Sequence, residues 1–203
     1  MARKDPARTA ATRKRIEDAF WSLYRDADSK SITASAVARA AGVNRSTFYA
    51  HFRDVGEVLE SIESDLMAYM GKRAAEVAGT ADPAEAARMA RGIFDERGDQ
   101  LRVVLGRRRS ERVLESARAM LGGLVAREML GIEGELVGAT RYRAEFVATG
   151  LIGAYIRWLE DGRPVPIEDV ASVLKVSALA AAEADLLLAD RLPAGNGPQP
   201  RRN

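Results

Sequence analysis

Cysteine is absent from the 203 residues, and histidine occurs once, as His51. The first absence excludes disulfides and thiolate metal sites, and the second leaves too few nitrogen ligands for a histidine-based metal centre. A glycine-rich phosphate loop and a nucleophile–base motif are missing as well, so an enzyme has little to build on and neither metal nor cofactor is expected. No run approaches the ~20 apolar residues of a membrane span, and the charged N-terminus is not followed by an apolar leader segment. A cytoplasmic protein with no membrane association is therefore expected. Strand-like alternation of apolar and polar residues is also missing throughout, which leaves an all-α chain.

What is present is a 47% hydrophobic share, enough for a real core, and 30% charged residues to solvate the surface. The net charge is only +2, yet it is unevenly spread. Residues 1–53 hold eleven Lys and Arg against five Asp and Glu, whereas the remaining 150 residues hold 20 against 24. A basic front on a mildly acidic body is the footprint of a protein that meets a polyanion at one end.

The apolar periodicity predicts about nine helices. A basic arm over 1–11 is expected to be disordered, and the first helix starts at Thr12, with Ile16, Ala19, Phe20, Leu23 and Tyr24 at helical spacing. Thr33 caps a second helix whose buried stripe is Val37, Ala38 and Ala41, and Gly42 supplies a tight turn. Asn44 caps a third helix anchored by Phe48 and Phe52. Ala38 four residues before Gly42 and Phe48 six after it have the offsets of a helix-turn-helix unit, with a small contact residue, a turn glycine and a core anchor. Residues 12–53 are thus read as a DNA-binding domain. Residues 54–192 are read as a helical effector and dimerisation domain, and 193–203 as a disordered tail. Within the body, helices are expected over 54–78, from Asp82-Pro83 to about Gly98, and over 99–107, 110–131, 140–161 and 166–192.

A helix inserted in the major groove reads base edges with its outward residues. Those residues are Arg45, Ser46, Thr47, Tyr49 and Arg53, with Asn44 at the cap and His51 beside them. Arg45 suits the paired acceptors of a guanine edge. Thr33 and Ser35 suit phosphate, and Arg13 and Lys14 are expected to add backbone contacts sensitive to salt.

The segment Ile32 to Phe52, above all Ala41-Gly-Val-Asn-Arg-Ser-Thr-Phe-Tyr-Ala-His-Phe52, together with Ile16-x-x-Ala19-Phe20, resembles the TetR-type bacterial transcriptional regulators. The resemblance implies a homodimer on a palindromic double-stranded DNA operator, a variable C-terminal domain that binds a small-molecule effector, and association with the nucleoid. It also implies DNA contacts at Arg45, Ser46, Thr47, Tyr49 and His51. The family often continues His-Phe-x-x-Lys-Glu-x-Leu. Here Val55 stands in place of the phosphate-binding lysine and Gly56 in place of the acid, so Arg53 is expected to substitute.

In the body, Gly150 and Gly153 would each cost a helix about 1 kcal/mol unless close helix contact compensates. With Ile156, and with Ala178 and Ala181 of the final helix, they are read as the dimer interface, through the last two long helices. Tyr69, Met70, Met89, Phe94, Leu114, Arg118, Leu121, Tyr142 and Phe146 are the candidate effector-pocket residues. Arg118 needs an anionic partner, either Glu145 or an acidic ligand. The favoured expectation is a repressor released by its effector; the alternative is an activator whose body docks a protein partner.

Overall fold

A computed structural model describes residues 6–26, 32–130, 134 and 137–172. Every regular element among them is helical, and no described helix is long and apolar enough to cross a membrane. The expected tail at 193–203 and most of the expected last helix, including Ala178 and Ala181, lie outside the described residues. The chain divides into two compact units, residues 1–72 and 73–203.

In the N-terminal unit, α1 spans Pro6–Asp26, α2 Ala34–Ala40 and α3 Arg45–His51, while α4, Val55–Ala78, begins here. Helix α1 opens at Pro6 rather than at Thr12. Proline suits the first helical position, because its fixed φ is already helical and its missing N–H would have had no intrahelical partner. Thr12 sits inside the helix, where its hydroxyl donates to the Arg8 carbonyl at 2.9 Å. Residues 6–11 of the expected arm are therefore helical, and residues 1–5 lie outside the described residues.

The core of this unit is Ile16, Phe20, Tyr24, Val37, Ala38, Phe48, Phe52, Val58, Ile62 and Leu66. Phe48 is fully buried, and truncating a side chain of this kind costs about 3–5 kcal/mol. Val58, Ile62 and Leu66 of α4 are buried, and the first compact unit extends along α4 to residue 72.

Both caps of the helix-turn-helix form as expected. The Thr33 hydroxyl accepts the Ala36 amide at 3.2 Å, and Asn44 Oδ1 accepts the Thr47 amide at 2.7 Å. Helix α2 ends in a Schellman arrangement: the Gly42 amide donates to Arg39 O at 3.1 Å and the Val43 amide to Ala38 O at 2.9 Å. Gly42 has φ +63°, so this turn requires the left-handed backbone that glycine adopts without a Cβ penalty.

In the C-terminal unit, α5 spans Pro83–Leu101, α6 Glu111–Leu130 and α7 Gly138–Glu160, with further helical residues at 167–172. Asp82 caps α5 by accepting the Ala84 amide at 2.9 Å. The short helix expected over 99–107 is present in a shortened, π-wound form, Arg102–Arg107. Helix α5 continues through Gly98 to Leu101 and passes directly into it. Gly98 is no stop signal: the Arg163 guanidinium crosses its backbone, where a Cβ would collide with it. The wider π winding turns four consecutive residues inward, Val103, Val104, Leu105 and Gly106. At the far end of α7, Gly162 (φ +79°) repeats the Schellman closure, with the Arg163 amide bonded to Trp158 O at 2.9 Å. Trp158 Nε1 donates to Val165 O at 2.8 Å and locks the chain reversal.

Candidate nucleic-acid interface

Helix α3 is polarised by its own periodicity. Phe48 points into the core, and Phe48 and Phe52 face each other at 6.2 Å between ring centroids. Arg45, Ser46, Tyr49 and Ala50 are exposed on the opposite face, Arg53 is exposed just beyond the helix, and Thr47 and His51 are half-buried at the flanks. Tyr49 retains 48% of its surface, an exposure otherwise unmatched by any large apolar side chain in the described part of this unit. Its ring is held edge-on against Phe48 at 5.4 Å, so the core fixes the direction in which it projects.

Arg45 and Tyr49 lie one turn apart. Arg45 Nη2 donates to the Tyr49 hydroxyl at 3.4 Å, and the guanidinium carbon sits 5.6 Å from the ring centroid. This contact aligns the arginine along the outer face while most of its five N–H donors stay available. Asn44 Oδ1 takes both the Thr47 amide and the Ser46 hydroxyl at 2.7 Å, so that oxygen is committed to the cap. Ser35 and Lys14 are exposed, Lys14 beside Asp18 one turn along α1. The arrangement presents a cationic, hydroxyl-rich helix face without a hydrophobic cover, which suits base edges and phosphate rather than a protein core.

Arg13 is placed elsewhere than expected. Its guanidinium donates to His51 O at 3.3 Å and to the Ser61 hydroxyl at 2.8 Å, pairs with Glu17 at 3.3 Å, and lies 4.1 Å over the Phe52 ring. Ser61 donates in turn to Glu17 Oε1 at 2.8 Å. Arg13 therefore ties α1, the end of α3 and α4 together, and these contacts engage three of its five N–H donors. The i,i+4 spacing of Arg13 and Glu17 is legible in the sequence, but the contribution of Ser61, 44 residues from Glu17, is not.

The run that departs from the family pattern also acquires a structure. Asp54 Oδ1 accepts the Glu57 amide at 2.9 Å, and Glu57 reaches back to the Arg53 amide, closing the start of α4 like a capping box. A Cβ at residue 56 would stand 3.0 Å from Asp54 Oδ1, so Gly56 leaves the cap oxygen its room. Arg53 Nε donates to Asp54 Oδ2 at 3.2 Å. The Asp54 carboxyl is held below the ordinary carboxylate range, first by the Glu57 amide and then by Arg53. Arg53 is raised by the hydrogen bond to Asp54 and by the charges of Asp54 and Glu57. Arg53 is exposed, so it remains placed to reach phosphate, in competition with Asp54.

The expected pocket residues of the C-terminal unit differ in their exposure. Phe94 packs against Tyr155 at 5.4 Å and Trp158 at 5.1 Å as part of an aromatic cluster, and burial pushes the Tyr155 hydroxyl up. Met89, Leu114 and Leu121 are half-buried, and Tyr69 and Met70 belong to the stretch of α4 in the other unit. Tyr142 and Phe146 keep 76% and 74% of their surface. The inward stripe of α7 is Ala144, Ala148, Ile152 and Leu159, which turns residues 142 and 146 outward. Gly150 and Gly153 are exposed along the same helix, with nothing within 4 Å of a Cβ built on either, and Ile156 is half-buried. Arg118 faces a cleft of about 410 Å³, lined also by Ala119, Gly122 and Gly123 of α6 and by Arg141, Ala144 and Glu145 of α7. Among the described residues no group of three or more His, Asp or Glu side chains is placed to hold a metal.

No protein-family model matches the chain, and no sequence among the curated proteins matches it. Solved structures do match. A TetR transcriptional regulator from Streptococcus agalactiae 2603V is 21% identical with a TM-score of 0.64, over 85% of this chain and 96% of that one. NalD, the secondary repressor of the MexAB-OprM multidrug efflux pump in Pseudomonas aeruginosa, is 18% identical with a TM-score of 0.60, over 85% and 96%. The fatty acid degradation regulator FadR from Bacillus halodurans is 18% identical with a TM-score of 0.57, over 88% and 97%. The chain has the all-α fold of the TetR-type regulators.

Proposed function

We propose that this protein is a homodimeric, sequence-specific DNA-binding regulator of the TetR type, acting as a repressor that leaves a palindromic operator when a small molecule binds its C-terminal unit. The observation that carries the reading is the exposed face of α3, where Arg45, Ser46 and Tyr49 project from a helix anchored by fully buried Phe48. Arg45 is the base reader, Ser46, Tyr49 and Arg53 serve base or phosphate, and Lys14, Thr33 and Ser35 lie along the backbone. Asn44 acts through its cap. The second copy joins through α7, where Tyr142, Phe146, Gly150 and Gly153 form an outward face, and through the last helix. The protein works in the cytoplasm at the nucleoid and is not an enzyme.

Two recognition helices reach successive major grooves only when about 34 Å apart, so an effector that alters this spacing weakens binding. Selection of bound sequences from random duplex DNA tests the proposal. The expected product is an inverted repeat with half-sites about one helical turn apart, or a multiple of it. Recovery of no common sequence would overturn the reading. The exposed aromatic pair Tyr142 and Phe146 also favours a second reading, an activator whose C-terminal unit docks a protein partner. That reading gains if the purified protein is monomeric with this face intact.

A further inference from the structure

We propose that the cleft between α6 and α7 is a binding site for a small carboxylate, gripped by Arg118 and Arg141. The inference rests on the reading of the C-terminal unit as the sensing part of the molecule, and it names the chemistry sensed.

Some arginines of this unit find partners: Arg73 with Glu76 at 2.7 Å, Arg157 with Asp161 at 2.9 Å, Arg163 with Asp95 at 3.7 Å, and Arg91 with Glu168. Arg88, Arg102, Arg109 and Arg127 have none among the described residues and do not line the cleft. Arg118 and Arg141 have no hydrogen-bond or ion-pair partner among the described residues, yet both line one cleft. Arg118 is half-buried, where an uncompensated guanidinium is costly. Arg141 and Glu145 are one turn apart on α7, a spacing that readily forms an ion pair. Instead Glu145 accepts from the Thr149 hydroxyl at 3.3 Å, and both guanidiniums remain open to a ligand.

The floor supports the same conclusion. Adjacent glycines inside a helix cost about 1 kcal/mol each relative to alanine. Gly122 and Gly123 take ordinary helical backbone, and nothing among the described residues lies within 4 Å of a Cβ built on either. Gly122 is nevertheless buried and lines the cleft. What the pair preserves is therefore the space itself, floored by backbone and by the methyls of Ala119 and Ala144. A volume of about 410 Å³ lies at the small end of ligand sites.

The charge balance selects the anion. Two guanidiniums and the Glu145 carboxylate leave one positive charge, which a monoanionic carboxylate neutralises through paired N–H···O bonds. A dianionic phosphate would face Glu145 with charge left over. A hydroxyl or amine next to the carboxylate would find its acceptor in Glu145.

The test is calorimetric titration of the full-length protein with benzoate, with benzamide as the neutral isostere and phenyl phosphate as the dianion. Benzoate is expected to saturate one site per chain, and benzamide and phenyl phosphate to bind at least about tenfold more weakly. Arg118→Gln and Arg141→Gln are each expected to raise the benzoate Kd about tenfold or more. Gly122→Leu, which fills the floor and keeps both arginines, is expected to abolish binding. Absence of benzoate binding, equal binding of benzamide, or equal affinity in Arg118→Gln and Arg141→Gln would overturn the proposal. A change of oligomeric state in Gly122→Leu would also overturn it, by making the cleft a contact between subunits. Operator retention, measured in parallel, separates the two readings. Arginine-dependent benzoate binding with no effect on retention upholds the site and removes its sensory role, whereas loss of benzoate binding with retention intact removes the site alone.

Discussion

At the scale of residues, Arg13 shows how far a charge count can mislead. In the sequence it is one member of a basic run, Arg13-Lys14-Arg15, that suits a polyanion. In the fold it satisfies Glu17, which is only 8% exposed, together with Ser61 and the His51 carbonyl. Removing Arg13 leaves a nearly buried carboxylate without its cation, so Arg13→Ala should lower unfolding stability by about 1–3 kcal/mol. Adding Glu17→Gln should recover part of that loss in a double-mutant cycle read by urea unfolding. Additive losses would show that the two side chains act separately. Asp54 carries a pH signature. Its folded pKa lies below the ordinary value of 3.8, so its stabilising contribution is present above that value and is lost as pH falls through the folded one. Asp54→Asn keeps a cap acceptor and removes the charge. The stability advantage of the natural protein over this variant should therefore be present at pH 7 and vanish in acid, and a gap independent of pH would contradict the assignment.

At the scale of elements, the helix-turn-helix was almost wholly legible, because each of its signals is local. Thr33, Gly42 and Asn44 act within a few residues of themselves, and Phe48 and Phe52 follow from a 3.6-residue period. The elements read less well are those set by distant partners. Gly98 carries the signature of a helix stop, yet it serves a crossing by Arg163, 65 residues away in sequence. The outward turn of Tyr142 and Phe146 depends on which stripe of α7 finds a partner, and alanines at 144 and 148 win that place over the larger aromatics. The turn itself yields a sharp expectation. A Cβ at residue 42 would meet nothing within 4 Å, so the cost of Gly42→Ala comes from φ +63° alone. That cost should be about 1–2 kcal/mol in chemical denaturation. A neutral result would mean that the turn relaxes to a right-handed conformation.

At the scale of the whole molecule, a basic stretch over residues 1–53 precedes a mildly acidic remainder, on the fold of the TetR-type regulators. The proposed dimer depends on the outward face of α7. Phe146→Glu places a charge on an exposed side chain and should leave the fold of the monomer intact while lowering the apparent mass in sedimentation from dimer to monomer. An unchanged dimer would move the interface elsewhere. The proposed sensing is less legible because it rests on Arg141, Gly122 and Gly123, which carry no signal until α6 and α7 are brought side by side.

The central claim is that α3 reads base edges and that Arg45 is its reader. It is tested by the affinity of the natural protein and of Arg45→Ala for the selected operator and for an unrelated duplex, at one fixed salt concentration. The account predicts that Arg45→Ala loses about 1–3 kcal/mol of discrimination per half-site, with binding to unrelated DNA reduced far less. An equal loss on both duplexes would contradict it, and would leave Arg45 as a phosphate contact.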